Sequence, residues 1–407
     1  MRKPELLIPA GNLEKLRTAL LYGADAVYVG VEGLSLRASS SEISMADLAS
    51  GVNEAHAKGV KVYAAANTFA RNTDLEQAKK IIPELTAIGV DALIISEPGM
   101  LRLIKSLAPQ LPIHLSTQAN TTNIEAVRFW QDQGVRRIIL ARELNLNEVR
   151  EIAAAVPEME LEIFIHGAMC MAYSGRCYLS AFRNRRSANE GDCSQPCRWE
   201  YLLYESTRPS DPFIIEEDER YSYLLSSKDL CLIEYLSEVL ASGVTSLKIE
   251  GRMKSAYYVA VVTRTYRQAL NTLMRQTKKY KCRHEWIDEL TKISNRGYTT
   301  GFAFTEEKIN ETNPEIKYIQ TYEPAGKVLN YDRENKRILF SVRNRIKIGD
   351  CLEILLPADI VTIKIISITD RNGNNFSEAH SGSEIYVPFE HEIQMGVFAR
   401  QQITNHS

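Results

Sequence analysis

The chain has 407 residues, 44% of them hydrophobic, and its 49 Lys and Arg against 51 Asp and Glu leave a net charge of -2. That length supports one large domain and a smaller one, while the near-neutral balance says little about partners. No segment approaches the uncharged length of a membrane span, and the opening MRKPELLIPAGNLEKL meets Glu5, Asn12 and Glu14 before any long apolar run. With an odd cysteine count besides, the sequence argues against membrane insertion, secretion and a disulfide framework, and predicts a reducing, cytoplasmic location.

One phrase recurs through the first three hundred residues: a helical stretch closes at a glycine, a short turn follows, and a run of β-formers begins. It is read in YGADAVYVG, KGVKVYAAAN, IGVDALIISE, QGVRRIILAR and SGVTSLKIEG. Gly23, Gly59, Gly89, Gly134 and Gly243 suit the left-handed position that ends a helix, and the apolar runs after them suit strands buried on both faces. Adding LLIPA, PIHLS and LEIFI predicts eight strands, at 6–10, 26–30, 61–66, 92–96, 112–116, 137–141, 161–165 and 246–250. The pattern predicts an α/β fold, a (β/α)8 TIM-type barrel over residues 1–305, with an open doubly wound sheet as the alternative.

The seventh and eighth strands stand about eighty residues apart, far more than one helix requires. This insertion, about 168–240, holds Cys170, Cys177, Cys193 and Cys197 within twenty-eight residues, and it leaves a strand at the barrel face where active sites are built. Their gaps of six, fifteen and three residues differ from the paired C-x2-C knuckles of zinc ribbons. Irregular spacing fits an iron–sulfur cluster better, although zinc stays open, as do buried thiols without a metal.

Further on, Gly251 to His284 contains no acidic residue and nine basic ones, from Arg252 and Lys254 to Lys281 and Arg283. Such a stretch either neutralises phosphates or forms the solvated face of a helix. Beyond the polar connector NETNPEIKYIQTYEPAG, short alternating strands predict a small β-barrel over 322–402. Its Arg343, Arg345 and Lys347 are candidates for gripping RNA.

Several motifs carry a family resemblance. EIFIHGAMC from Glu162, GRCYLS from Gly175, PELLIPAGN, ADAVYVG, LSTQAN and SLKIEGR together resemble the collagenase-like peptidase U32 family over nearly the whole chain. HGAMCMAYSGRCYLS followed by GDCSQPCRWEY is most similar to its tRNA hydroxylation branch. The resemblance implies oxygen-independent formation of 5-hydroxyuridine at the tRNA wobble position, with prephenate as hydroxyl source. It also implies a 4Fe-4S cluster on Cys170, Cys177, Cys193 and Cys197, with Cys231 as a substitute ligand and Cys282 and Cys351 incidental. Besides tRNA and prephenate, a second chain of the same family is a candidate partner.

Asn67, Glu97, Gln118, Arg142, Glu143, His166, Glu250 and Arg252 fall at or just past strand ends, where polar side chains can enter the barrel mouth. The two carboxylates of prephenate call for guanidinium partners, so Arg142 and Arg252 are the expected anchors, with Arg37 behind them and Asn67 and Gln118 alongside. His166, Glu250 and Glu143 are the candidate catalytic residues, His166 because it titrates near neutrality, unless it is a hydrogen-bonded structural histidine. Lys248 is read as an internal ion-pair partner of Glu250. Around the cysteines, Tyr173, Tyr178, Phe182 and Trp199 form either an apolar shell or, with Arg183, Arg185 and Arg186, a stacking clamp for an unpaired base. Two rival functions remain. A peptidase needs a nucleophile with a base in reach, and no such set can be named from the sequence. A noncatalytic RNA-binding or assembly factor needs only the basic surfaces.

Overall fold

The structure is a computed structural model and describes residues 3–31, 33–35, 42–170, 172–186, 188–190, 193–198, 204–205, 208–212, 228–276, 280–304 and 319–403. Arg37, Trp199, Lys278 and Lys279 lie outside the described residues.

Eight parallel strands close into a barrel: β1 (Glu5–Ala10), β2 (Ala26–Val31), β3 (Lys61–Ala65), β4 (Ala92–Ile95), β5 (Ile113–Leu115), β6 (Arg137–Ile139), β7 (Glu160–Ala168) and β8 (Ser246–Ile249). β8 pairs with β7 (Ser246 opposite Glu162) and with β1 (Lys248 opposite Leu7), so the ring is complete and the open-sheet alternative falls. Strands such as β2, AVYVGV, are buried along their whole length because barrel core lies on one side and helices on the other.

Eight helices alternate with the strands: α1 (Leu13–Tyr22), α2 (Met45–His56), α3 (Asn72–Ile88), α4 (Pro98–Leu107), α5 (Ile124–Asp132), α6 (Leu146–Ala155), α7 (Leu236–Ala241) and α8 (Ala256–Arg275). Asn12, Asn145 and Ser255 cap α1, α6 and α8 with their side chains. The five repeat glycines all take positive φ, and at Gly23 (φ 99°) the N–H returns to Ala19 O to end α1.

β7 runs on to Ala168, past its expected end at 165, because Asp229–Cys231 pairs with its far end antiparallel, setting Cys231 opposite His166. The cysteine insertion therefore springs from a strand that outgrows the barrel.

The helical part of the acid-free segment is not a solvated basic face. α8 is buried along most of its length; Arg264 donates to Leu356 O at 2.7 Å, and Arg267 pairs with Asp25 and donates to Gly23 O. Within α8 these guanidiniums tie the helix to its neighbours; among the described basic residues of the segment, Arg275 at the helix end and Lys281 and Arg283 beyond it are exposed. No helix among the described residues is long and apolar enough to cross a membrane.

The C-terminal module is an antiparallel sheet on β9 (Tyr322–Asp332), β10 (Arg337–Val342), β11 (Cys351–Leu355), β12 (Ile360–Lys364), β13 (Glu384–Pro388) and β14 (Phe398–Gln402), completed by Ile368–Thr369 and Asn375–Phe376. Phe340, Ile354, Ile368 and Val387 belong to a core of its own. It packs on the outside of the barrel along α1 and α8: Tyr22 Oη donates to Leu355 O at 2.8 Å, and buried Arg400 bridges Glu289 and Glu353, both at 2.6 Å. Arg343 pairs with Glu14 of α1 and Arg345 with Glu378, so two of the three expected RNA contacts hold internal partners.

Candidate active site

A cavity of about 180 Å³ opens at the C-terminal ends of the strands. Asn67, Gln118, Arg142, Glu250 and Arg252 line it together with Lys248 and all four cysteines of the insertion. The C-terminal module contributes nothing to its wall.

Two glycines make the rim possible. Gly167 (φ 108°) lies so close to β8 that a Cβ there would stand 2.4 Å from Glu250 O, which brings the root of the cysteine loop against Glu250. At Gly30 a Cβ would meet Arg252 Nη1 at 2.5 Å, so the buried guanidinium rests against the end of β2. Across the mouth, Arg142 stacks on Phe164 with its guanidinium carbon 3.9 Å from the ring centre and donates to Ala168 O at 3.1 Å. Its Nε is buried with no hydrogen-bond partner among the described residues. Asn67 Nδ2 donates to Gln118 Oε1 at 2.7 Å, orienting both amides. The Glu250 carboxylate lies 3.3 Å from Tyr28 Oη.

The insertion is stitched from within. Glu143 accepts from Ser174 N at 2.6 Å and Ser174 Oγ at 2.7 Å, holding the left-handed Ser174 (φ 46°) between Cys170 and Cys177. This corrects its expected role: both carboxylate oxygens are occupied in positioning the loop, and Glu143 does not line the cavity. Ser180 Oγ accepts from Ser194 N at 2.9 Å and joins the two halves of the cysteine segment. Leu179 N and Gln195 N point at the sulfurs of Cys177 and Cys193, each at 3.4 Å. Among the described residues no three His, Cys, Asp or Glu side chains are gathered as a ready-made single-ion site.

His166 is a second correction. It is buried behind the wall against Tyr258, Tyr266 and Tyr298 and is not among the cavity's residues. Burial pushes its pKa down to about 3, with Asp229 opposing and Lys254 adding to the effect, so it is neutral near pH 7. Cys231 shares that compartment, 3.7 Å from Tyr266 Oη; burial pushes its thiol up to about 11, and it does not join the other four. The aromatic shell is also overturned, since Tyr173, Tyr178 and Phe182 are 54%, 81% and 83% exposed.

Beneath the mouth lies a feature the sequence reading missed. Lys248 pairs with Glu162 at 3.0 Å rather than with Glu250, and Arg137 reaches Glu162 at 3.2 Å, Glu160 at 2.8 Å and also Glu5. Burial works against charge on fully buried Glu162, but Lys248 and Arg137 outweigh it and hold the carboxyl below its usual range. The signal was present as charged residues at alternate positions of otherwise apolar strands: Glu160 and Glu162 in β7, Lys248 in β8.

A closed (β/α)8 barrel with thiols and guanidiniums gathered at the C-terminal ends of its strands has the build of a barrel enzyme. The chain belongs to peptidase family U32: the family's main domain matches residues 11–313 and its C-terminal domain residues 320–400. It is 38% identical over 390 residues to tRNA hydroxylation protein P1 of Bacillus subtilis, covering 94% of this chain and 91% of that one. It is 35% identical to a 23S rRNA 5-hydroxycytidine synthase of Escherichia coli over 91% of this chain and 55% of that one. A protein of Porphyromonas gingivalis named collagenase is 30% identical over 96% of this chain and 95% of its own length.

Proposed function

We propose that this chain is an oxygen-independent RNA hydroxylase that converts the wobble uridine of tRNA to 5-hydroxyuridine in the cytoplasm. In this reading prephenate is the hydroxyl source, and Cys170, Cys177, Cys193 and Cys197 hold a 4Fe-4S cluster. The observation that carries the reading is the convergence of four thiols on one cavity that also holds Arg142, Arg252 and Lys248. Relatives named for tRNA and rRNA hydroxylation support the substrate class.

Four thiols on one cavity are the donor set of a four-iron cluster. A tetrahedral ion with sulfur at about 2.3 Å draws its thiolates into mutual contact, whereas a cluster is gripped at its corners by cysteines set further apart. The backbone N–H groups aimed at Cys177 and Cys193 are donors of the kind that stabilise cluster-bound sulfur. When bound, such a cluster supplies one-electron transfer and a fixed local charge.

The remaining roles belong to the chain's own groups. Arg252 and Arg142, both on the cavity wall, bind the two carboxylates of the donor. Lys248, paired with Glu162, adds an ammonium group to the lining. The oriented amides of Asn67 and Gln118 bind the polar edge of the uracil, and Glu250, beside Tyr28 Oη, holds or moves a proton at the mouth. Arg37, a further anchor in this reading, lies outside the described residues.

A hydrolase reading is less well supported, because among the described residues no histidine lines the cavity and His166 faces away behind the wall. The deciding experiment is nucleoside analysis of tRNA by mass spectrometry. Deletion of the gene removes 5-hydroxyuridine and its derivatives; the intact gene restores them and Cys193→Ala does not. Protein purified without oxygen carries iron and sulfide at about four each per chain. Restoration by Cys193→Ala sinks the cluster's role. Cleavage of a protein substrate by cluster-free protein favours the hydrolase, and tight tRNA binding with unchanged nucleosides favours a noncatalytic factor.

A further inference from the structure

Beside the mouth runs a second cavity of about 540 Å³ that the proposed chemistry leaves unused. That volume falls within the roughly 300–1,000 Å³ of small-ligand sites. Three aromatic side chains, Phe69, Trp130 and Tyr178, line it with the guanidiniums of Arg71 and Arg176. Arg176 stands 5.4 Å from the centre of the Phe69 ring and donates to Gln118 O at 3.0 Å, so one cation is already fixed against one π-face. Glu97, the acidic residue of the groove, spends its carboxylate capping α4 through Gly99 N and Met100 N.

The two cavities share a wall one residue thick. Gln118 lines the mouth and Ala119 the groove; Cys177 lines the mouth while Arg176 and Tyr178 line the groove; Ala188 lines the mouth and Asn189 the groove. Asn189 Oδ1 accepts from Cys177 N at 3.1 Å and braces this partition. A strand that delivers one base to the mouth therefore has its neighbour at the groove. Tyr178 is 81% exposed there, although aromatic rings are usually hidden.

We infer that this groove seats the nucleotide adjacent to the target in single-stranded RNA, its base stacked on Tyr178 and its phosphate held by Arg71 and Arg176. Stacking on π-faces with arginine on the backbone is the chemistry by which unpaired strands are held without regard to sequence. The inference rests on the hydroxylase reading only for which nucleotide enters the mouth.

The test is a binding cycle with the full-length protein purified without oxygen and a hairpin RNA carrying an anticodon loop. Tyr178→Ala weakens hairpin binding by roughly 5- to 150-fold, the range for losing one stacked base, while Tyr178→Phe binds as the parent does. An abasic substitution on one side of the wobble uridine weakens the parent by a similar factor and Tyr178→Ala little further. Equal affinity of Tyr178→Ala and the parent overturns the inference, as does full additivity with abasic substitutions on both sides. Coupling in this cycle with no uridine modified in cells sustains the groove and defeats the hydroxylase reading. Normal modification with no coupling does the reverse.

Discussion

The floor and the mouth of the barrel are both built from charged side chains, and they use charge in opposite ways. On the floor, Glu5, Arg137 and Glu162 satisfy one another together with Lys248, which also lines the mouth; Arg137 is 4% exposed and Glu162 fully buried. At the mouth, Arg142 is held by an aromatic face and a backbone carbonyl, a placement that fixes a guanidinium without neutralising it, and Arg252 packs closely on Gly30. A buried charge paired to its limit supports the fold, whereas one fixed by packing keeps its field for a ligand.

Removing one floor member tests the contrast most severely. Glu162→Ala leaves Arg137 and Lys248 facing each other without their carboxylate, and breaking a buried pair costs about 3–5 kcal/mol. The urea midpoint should fall accordingly with iron content per folded chain unchanged, and an unmoved midpoint means the floor is not what holds the barrel. At the mouth, Arg142→Lys loses the stacked, forked guanidinium, a change of roughly 1.5–3 kcal/mol for charged hydrogen bonds. It should raise KM for the dicarboxylate donor by about ten- to a hundredfold with little change in melting temperature. An equal loss of stability would place Arg142 with the floor instead.

The smallest expected effect is a pH dependence at His166, which belongs to neither region. Its imidazole titrates near 3 when folded against an ordinary value of 6.5. The unfolded chain therefore takes up this proton first, and stability present above about pH 6.5 is lost as pH falls toward 3. At pH 5 the loss is roughly 2 kcal/mol. His166→Phe should flatten that part of the profile, measured as the difference between unfolding free energies at pH 7 and pH 5. A profile unchanged by the substitution would show that the histidine is solvated and open to a role at the mouth after all.

The barrel was legible because its signals are local. Five of the eight barrel helices run out into a glycine that takes positive φ, and strands such as β2 are apolar runs whose burial on two faces needs no knowledge of their neighbours. The position of the four cysteines at the mouth followed from the same logic, since an insertion after β7 must leave at that end. Side-chain direction was harder to read. His166 and Phe164 both lie on β7, yet Phe164 lines the cavity while His166 packs outside, because the strand carries a register shift against β8 between Lys248 and Ile249. The acid-free stretch misled for a related reason: a basic helix reads the same in sequence whether its arginines meet phosphate or, like Arg264 and Arg267, carbonyls and an aspartate over 80 residues away.

By itself the sequence determined the eight-fold alternation, the address of the cysteine insertion and the family to which the motifs point, because periodicity, glycine stops and crowded thiols are properties of neighbouring residues. Only the tertiary structure decided that Lys248 belongs to Glu162, that Glu143 braces Ser174, that His166 and Cys231 stand behind the wall, and that an aromatic groove runs beside the mouth. Each of those depends on which distant side chains closure of the barrel brings within a few ångströms, and linear spacing carries no record of that.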